Sequence, residues 1–178
     1  MTFTAIVTAH AQDPSKILGN LMYQTRKPDE TILLYSNITR TEMLRIARDF
    51  PHVLIVEQQN ENDWGHAKRA QGVDLARCDA LGFFNADDSY ELTYIEKMMA
   101  EIEDGADAVY CSWNTIPNCI FALGSSTSGN FVVRTGLARA VGYPDRHYEA
   151  DGTFINAIGA HATHIARVDD LLYHHNVQ

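Results

Sequence analysis

Leu81-Gly82-Phe83-Phe84-Asn85-Ala86-Asp87-Asp88 decides the fold: an apolar run stops abruptly at two adjacent carboxylates. A short uninterrupted apolar segment is a strand buried on both faces. Polar and acidic residues at its end then lie on the rim of a sheet, where open α/β folds bind ligands. Neighbouring carboxylates repel each other unless a cation sits between or beside them. A divalent metal at a sheet edge in turn implies a phosphorylated ligand. A helix N-terminus is the competing reading, since Asp87, Asp88 and Ser89 are all capping residues. Both readings fit this stretch taken alone.

Working outward, strand-like and helix-like segments alternate. Phe3 to Thr8 is a first strand, and Asp13-Pro14 starts a helix with Ile17, Leu18, Leu21 and Met22 on one face, ended by Pro28. Thr31 to Tyr35 is a second strand. Met43, Leu44, Ala47 and Phe50 mark a helix closed by Pro51, and Val53 to Val56 is a third strand. A polar stretch from Glu57 to Asp63 leads into a helix from about Gly65 to Ala76. After the acidic-ended strand, Ile95, Met98, Met99 and Ile102 sit at helical spacing up to Gly105, and Ala108 to Ser112 is a further strand. Residues 114–130, rich in Ser, Thr, Gly and Asn, predict a mobile loop over the sheet edge. Phe131 to Val133, a helix near Thr135 to Val141 and a helix after Asp151 complete the chain. Repeated strand-helix units predict a single α/β domain with a mostly parallel central sheet and helices on both faces.

The 178 residues suffice for one domain with a real core, and 46% apolar with 21% charged residues is ordinary for a globular protein. A formal net charge of -9 argues against broad phosphate-backbone binding. No apolar run approaches the ~20 residues that cross a bilayer, and the Met1 end lacks a signal-peptide pattern. Cys78, Cys111 and Cys119 have no metal-like spacing, and their odd number argues against a disulfide framework. They read as small buried apolar residues in a reducing, cytoplasmic setting.

Five short motifs follow one another over nearly the whole chain. They are Gln24-Thr25-Arg26-Lys27-Pro28-Asp29-Glu30 before the second strand, Gly65 through Arg69 to Gly72, and Asn85-Ala86-Asp87-Asp88. Then come Gly129-Asn130-Phe131-Val132-Val133-Arg134 with Val141-Gly142-Tyr143-Pro144-Asp145, and Glu149-Ala150-Asp151. In this order they resemble family 2 glycosyltransferases, nucleotide-sugar enzymes with the GT-A (Rossmann-like) fold. The resemblance implies a nucleotide-sugar-binding half, 1–113, and an acceptor-side half, 114–178. Asn85 to Asp88 falls where the family carries its DxD metal motif, and Glu149 to Asp151 where it places a catalytic acidic pair. Two departures stand out: Asn85 replaces the first acid of the motif, and Tyr35-Ser36-Asn37 stands where relatives usually carry an acidic pair that helps hold the base.

The implied chemistry is transfer of a sugar from a nucleoside diphosphate donor to an acceptor hydroxyl, with inversion at the anomeric carbon. Mn²⁺ or Mg²⁺ would neutralise the leaving diphosphate. Asp87 is the first metal ligand, with Asp88 contacting metal or sugar, and Asn85 is a partner for ribose or phosphate. His175, with His174 as the near alternative, resembles a C-terminal histidine that completes the metal shell in some relatives; two solvated histidines are the competing reading. Asp151 is the candidate base and Glu149 the runner-up; a helix beginning at Asp151 would depress its pKa, and simple capping is the alternative role. Arg69 and Lys68 are candidates for the diphosphate or base, although Lys68 reads better as part of a solvated helix face. His10, just after the first strand, is placed to touch the nucleotide. Trp64 and Trp113 read as core or loop anchors, with Trp113 also placed to stack on a sugar.

Two rival readings remain at this stage. One is a nucleotide-sugar-binding module without catalysis. The other is a nucleotidyltransferase, against which Ala9-His10-Ala11-Gln12-Asp13-Pro14 lacks the expected basic, glycine-rich loop. The acceptor is open among a saccharide, a small molecule, a protein and a hydroxylated nucleobase.

Overall fold

β1 (Phe3–His10) and β4 (Ala80–Asn85) are buried along nearly their whole length and pair in parallel, with Thr8 opposite Asn85. The computed structural model describes residues 1–58, 64–122, 125–144 and 149–175. Parts of the polar stretch before Gly65 and of the loop over the sheet edge, together with Asp145, lie outside the described residues. The other strands are β2 (Glu30–Ser36), β3 (Val53–Glu57), β5 (Ser89–Tyr90), β6 (Ala108–Trp113), β7 (Phe131–Arg134) and β8 (Ile165–His174). They form one sheet in the order β3-β2-β1-β4-β7-β6-β8-β5. β1 with β2, β1 with β4, β2 with β3 and β6 with β8 run parallel; β7 is antiparallel to both β4 and β6, and β5 to β8.

The helices are α1 (Ser15–Tyr23), α2 (Arg40–Asp49), α3 (His66–Leu75), α4 (Tyr94–Glu103), α5 (Thr135–Val141) and α6 (Ala150–His161). Because side chains alternate along a strand, the apolar residues of the sheet divide into two clusters. Ala5 and Val7 of β1 and Phe84 of β4 join Leu18 of α1, Ile46 of α2 and Met98 of α4. Ile6 and Phe83 join Val73 of α3, Ala138 of α5 and Phe154 of α6. Phe83 meets Phe131 and Phe154 edge-on, with ring centroids 5.8 and 6.1 Å away. Burying each such ring stabilises the fold by roughly 1.5–3 kcal/mol. α3 lies close on β1 because residue 72 is glycine: a Cβ there would collide with Ile6 Cγ2. That approach sets Arg69, one turn earlier, over the end of the sheet.

Several boundaries differ from the sequence expectations for local reasons. The N-cap of α1 is Pro14 rather than Asp13, although Asp13 Oδ1 accepts from the Ser15 N–H at 2.9 Å. The helix ends at Tyr23, five residues before Pro28, where the buried Gln24 side chain donates to Glu91 O and accepts from the Ile95 N–H. Just before β7, Ser126, Ser128 and Gly129 are buried, whereas most of residues 114–120 are exposed. Asn130 is fully buried and donates to Cys111 O at 2.8 Å, and Trp113 Nε1 donates to Ser125 O at 3.1 Å. β5 and β8 have no counterpart in the sequence reading. β8 carries Asp169 and Asp170 in its middle, exposed at register shifts against β6, which breaks the apolar alternation. Cys111 and Cys119 are buried thiols, as expected, and Cys78 is half-buried. Among the described residues no helix is long and apolar enough to cross a membrane.

Candidate functional site

In open parallel sheets, ligands bind beyond the carboxyl ends of the strands, where neighbouring connections leave in opposite directions. β1, flanked by β2 and β4, provides such a point. A cavity of about 480 Å³ lies there, lined by Thr8, Ala9, His10 and Gln12 at the end of β1, by Trp64, Gly65, Lys68 and Arg69 at the start of α3, by Asn85 and Asp87 after β4, and by His175. Five of the residues singled out from sequence, His10, Arg69, Asn85, Asp87 and His175, thus share one cavity.

Arg69 is buried and holds the cavity wall together. Its Nη2 donates to Asn85 Oδ1 at 2.9 Å, its Nη1 donates to Trp64 O at 3.1 Å, and Nη1 lies 3.6 Å from Asp151 Oδ1. Burial disfavours the guanidinium charge, but the Asp151 carboxylate together with Tyr143 and Tyr173 outweighs it, and the pKa is raised. Asp151 lies in the first turn of α6. His66 Nδ1 is 3.3 Å from its Oδ1, and the Tyr143 hydroxyl donates to the same oxygen. Burial pushes its carboxyl upward, yet Arg69, His66 and Tyr143 together hold it well below the usual carboxylate range. α6 begins at Ala150, one residue before Asp151, and side chains rather than the start of the helix account for the downward shift. Glu149, the runner-up, is exposed at the N-cap of α6 and makes no side-chain cap.

The two adjacent carboxylates have separate environments. Asp87 is half-buried and lines the cavity. Asp88 is fully buried and is not among the residues lining the cavity. Its oxygens meet Asn85 Nδ2 (2.8 Å), the Tyr173 hydroxyl (2.7 Å) and His175 Nδ1 (2.9 Å). The short pairing of β5 with β8, Ser89 opposite His174 and Tyr90 opposite Tyr173, brings these residues together. His174 turns to Glu91 Oε1, 2.8 Å away, while His175 lines the cavity.

Asn85 Oδ1 accepts from Thr8 Oγ1 as well as Arg69, so its side chain is engaged by protein. Lys68 is 3% exposed and lines the cavity, which overturns its reading as part of a solvated helix face. His10 is exposed at the rim, its Nδ1 3.0 Å from Ser36 Oγ and its Nε2 3.4 Å from Asn37 Nδ2. Trp113 is buried in the core, which removes it as a stacking surface, whereas Trp64 is 64% exposed at the cavity mouth.

The sequence profile described as glycosyl transferase family 2 matches residues 15–157. The chain belongs to that family. Sequence comparison with curated proteins gives no significant match. Among solved structures, this family 2 chain is similar to the crystal structure of S. aureus TarS, with a TM-score of 0.80 at 15% identity over 99% of this chain and 37% of that one. TarS 1–349 in complex with UDP gives 0.78 at 15% identity, covering 100% of this chain and 61% of that one. The complex of TarS 1–349 with UDP-GlcNAc gives 0.74 at 17% identity, covering 100% and 59%. At such identities the likeness is one of fold, and the chain spans less than two thirds of those lengths.

Within this family 2 chain, the matched region takes in Arg69, Asp87 and Asp151, while His175 lies beyond it. His66, Tyr143 and Tyr173 were not singled out as site residues. Two of them had a signal: His66 stands three residues before Arg69 on a helix face, and Tyr173 two before His175 on one strand face. Tyr143 reaches Asp151 only through the tertiary fold.

Proposed function

We propose that this chain is a metal-dependent, inverting glycosyltransferase of GT-A type, its sheet covered by helices on both faces. It moves a sugar from a nucleoside diphosphate donor to an acceptor hydroxyl. The observation that carries this reading is the convergence of Asp87, His175, Arg69 and Lys68 on one cavity at the carboxyl ends of β1 and β4. No cluster of three metal-ligating side chains occurs among the described residues. Mg²⁺ and Mn²⁺ sites for phosphate substrates ordinarily use one or two protein groups and take their other oxygens from the substrate and water. Asp87 and His175 fit that pattern, and the imidazole favours Mn²⁺. The bound cation would neutralise charge developing on the departing diphosphate.

Arg69 and Lys68 supply fixed positive charge to the same phosphates, and His10 with Ser36 and Asn37 forms the rim for the nucleoside. Asp151 is the base that takes the acceptor proton, with Glu149 as the alternative. A carboxylate held so far below its usual pKa is a weak base. Donor phosphates drawing Arg69 toward the cavity would weaken the 3.6 Å pairing and let the basicity of Asp151 rise. Activation then follows donor binding. The first half, 1–113, supplies most of the donor side, and acceptor selection falls to 114–178. The buried thiols suit a cytoplasmic setting.

The test is a panel of sugar nucleotides with Mn²⁺, read by release of nucleoside diphosphate. Turnover with one donor, lost in Asp151→Asn with donor binding retained, supports the reading. Tight donor binding without release from any donor would make the chain a binding module instead.

A further inference from the structure

Asp88 is a buried carboxylate that the mechanism above leaves without a role. A carboxylate only accepts hydrogen bonds, so at 2.9 Å the His175 Nδ1 must carry the hydrogen between them. Neutral imidazole then presents its lone pair at Nε2, on the opposite side of the ring. Histidines that bind metals characteristically donate their second ring nitrogen to a carboxylate in this way, which fixes tautomer and ring orientation. The carboxylate is itself held: the Tyr173 hydroxyl donates to Oδ2 at 2.7 Å, and Asn85 Nδ2 donates to it at 2.8 Å. The orientation of the Asn85 amide follows from its partners. Its Oδ1 accepts from Arg69 Nη2, a pure donor, so the nitrogen must be the atom facing Asp88.

We propose that Asp88 is a positioning residue which, held by Asn85 and Tyr173, fixes the His175 ring with Nε2 toward the divalent cation of the donor site. This rests on the reading of Asp87 and His175 as the metal ligands. It also gives the departure at residue 85 a cause. The amide ties Arg69 to Asp88, and a carboxylate there would face Asp88 across 2.8 Å.

The test uses the full chain and Mn²⁺ alone, with free Mn²⁺ followed by electron paramagnetic resonance. Asp88→Asn should lower affinity roughly 10- to 100-fold, and His175→Ala at least as much. The double variant should bind no more weakly than His175→Ala, because Asp88 acts through the ring. A further loss in the double variant, or unchanged affinity in Asp88→Asn, overturns the proposal while leaving the metal reading intact. Parental affinity in both Asp87→Ala and His175→Ala overturns the metal reading and this proposal with it. Should Asp88→Asn fail to fold, the side-chain ¹⁵N spectrum of parental His175 at alkaline pH decides: the Nδ1–H tautomer supports the proposal and the Nε2–H tautomer overturns it.

Discussion

Asn85→Asp converts the acidic motif to its commoner form, and the geometry predicts that it damages the protein. The substitution removes the 2.8 Å hydrogen bond from Asn85 Nδ2 to a fully buried carboxylate. A hydrogen bond to a charged group contributes about 1.5–3 kcal/mol. It also sets two negative charges within about 4 Å, which at an effective dielectric near 20 costs about 4 kcal/mol. Arg69 offsets part of this, because its Nη2, 2.9 Å from residue 85, gains a charged partner. The balance is a destabilisation of about 2–4 kcal/mol at neutral pH, or roughly 5–15 °C in midpoint for a chain of this size. Urea and thermal unfolding followed by circular dichroism measure it, with Asn85→Ala as the control that removes the bond without adding charge. Asn85→Asp should be the less stable of the two, and adding Asp88→Asn should recover most of the difference. A variant Asn85→Asp as stable as the parent would refute the reasoning.

Two further outcomes follow from the same network. The folded-state pKa of Asp151 lies below its unfolded value, so the stability it contributes is present above about pH 3.9 and is lost as pH falls toward the folded value. Asp151→Asn should therefore lose about 3–5 kcal/mol at neutral pH, with the gap to the parent narrowing below about pH 4 in urea titrations; a constant gap would contradict the Arg69 pairing. Gly129→Ala places a methyl group 2.5 Å from Cζ of the fully buried Tyr173. It should cost about 1–3 kcal/mol, measured as a lower unfolding midpoint, and an unchanged midpoint would mean that the ring has room to retreat.

The parts legible in the sequence were those where burial acts on contiguous residues. β1, β2 and β4 are near-continuous apolar runs buried along most of their length, and polar residues just after such runs had to reach the rim. That logic placed His10, Asn85 and Asp87 at one cavity. It failed where a residue's surroundings come from remote segments. Asp87 and Asp88 are equivalent in sequence, and the buried one is marked out by Asn85, by Tyr173 on β8 and by His175 just after it. Lys68 looked like surface on helical periodicity, yet it lies on the α3 face that borders the cavity. Asp151 takes its partners from α3 and from Tyr143, and helix position alone named the direction of its shift without the cause. β8 escaped notice because Asp169 and Asp170 sit where the ladder is irregular.

The cavity draws its walls from segments far apart in the sequence: β1 begins at Phe3, and His175 follows directly on β8. During synthesis the early strands can associate long before Tyr173 and His175 emerge from the ribosome. Until then Asp88 has neither its hydroxyl donor nor its imidazole, and a buried carboxylate lacking those partners resists dehydration. The wall of the cavity at Asp88 is therefore completed only after β8 has been made.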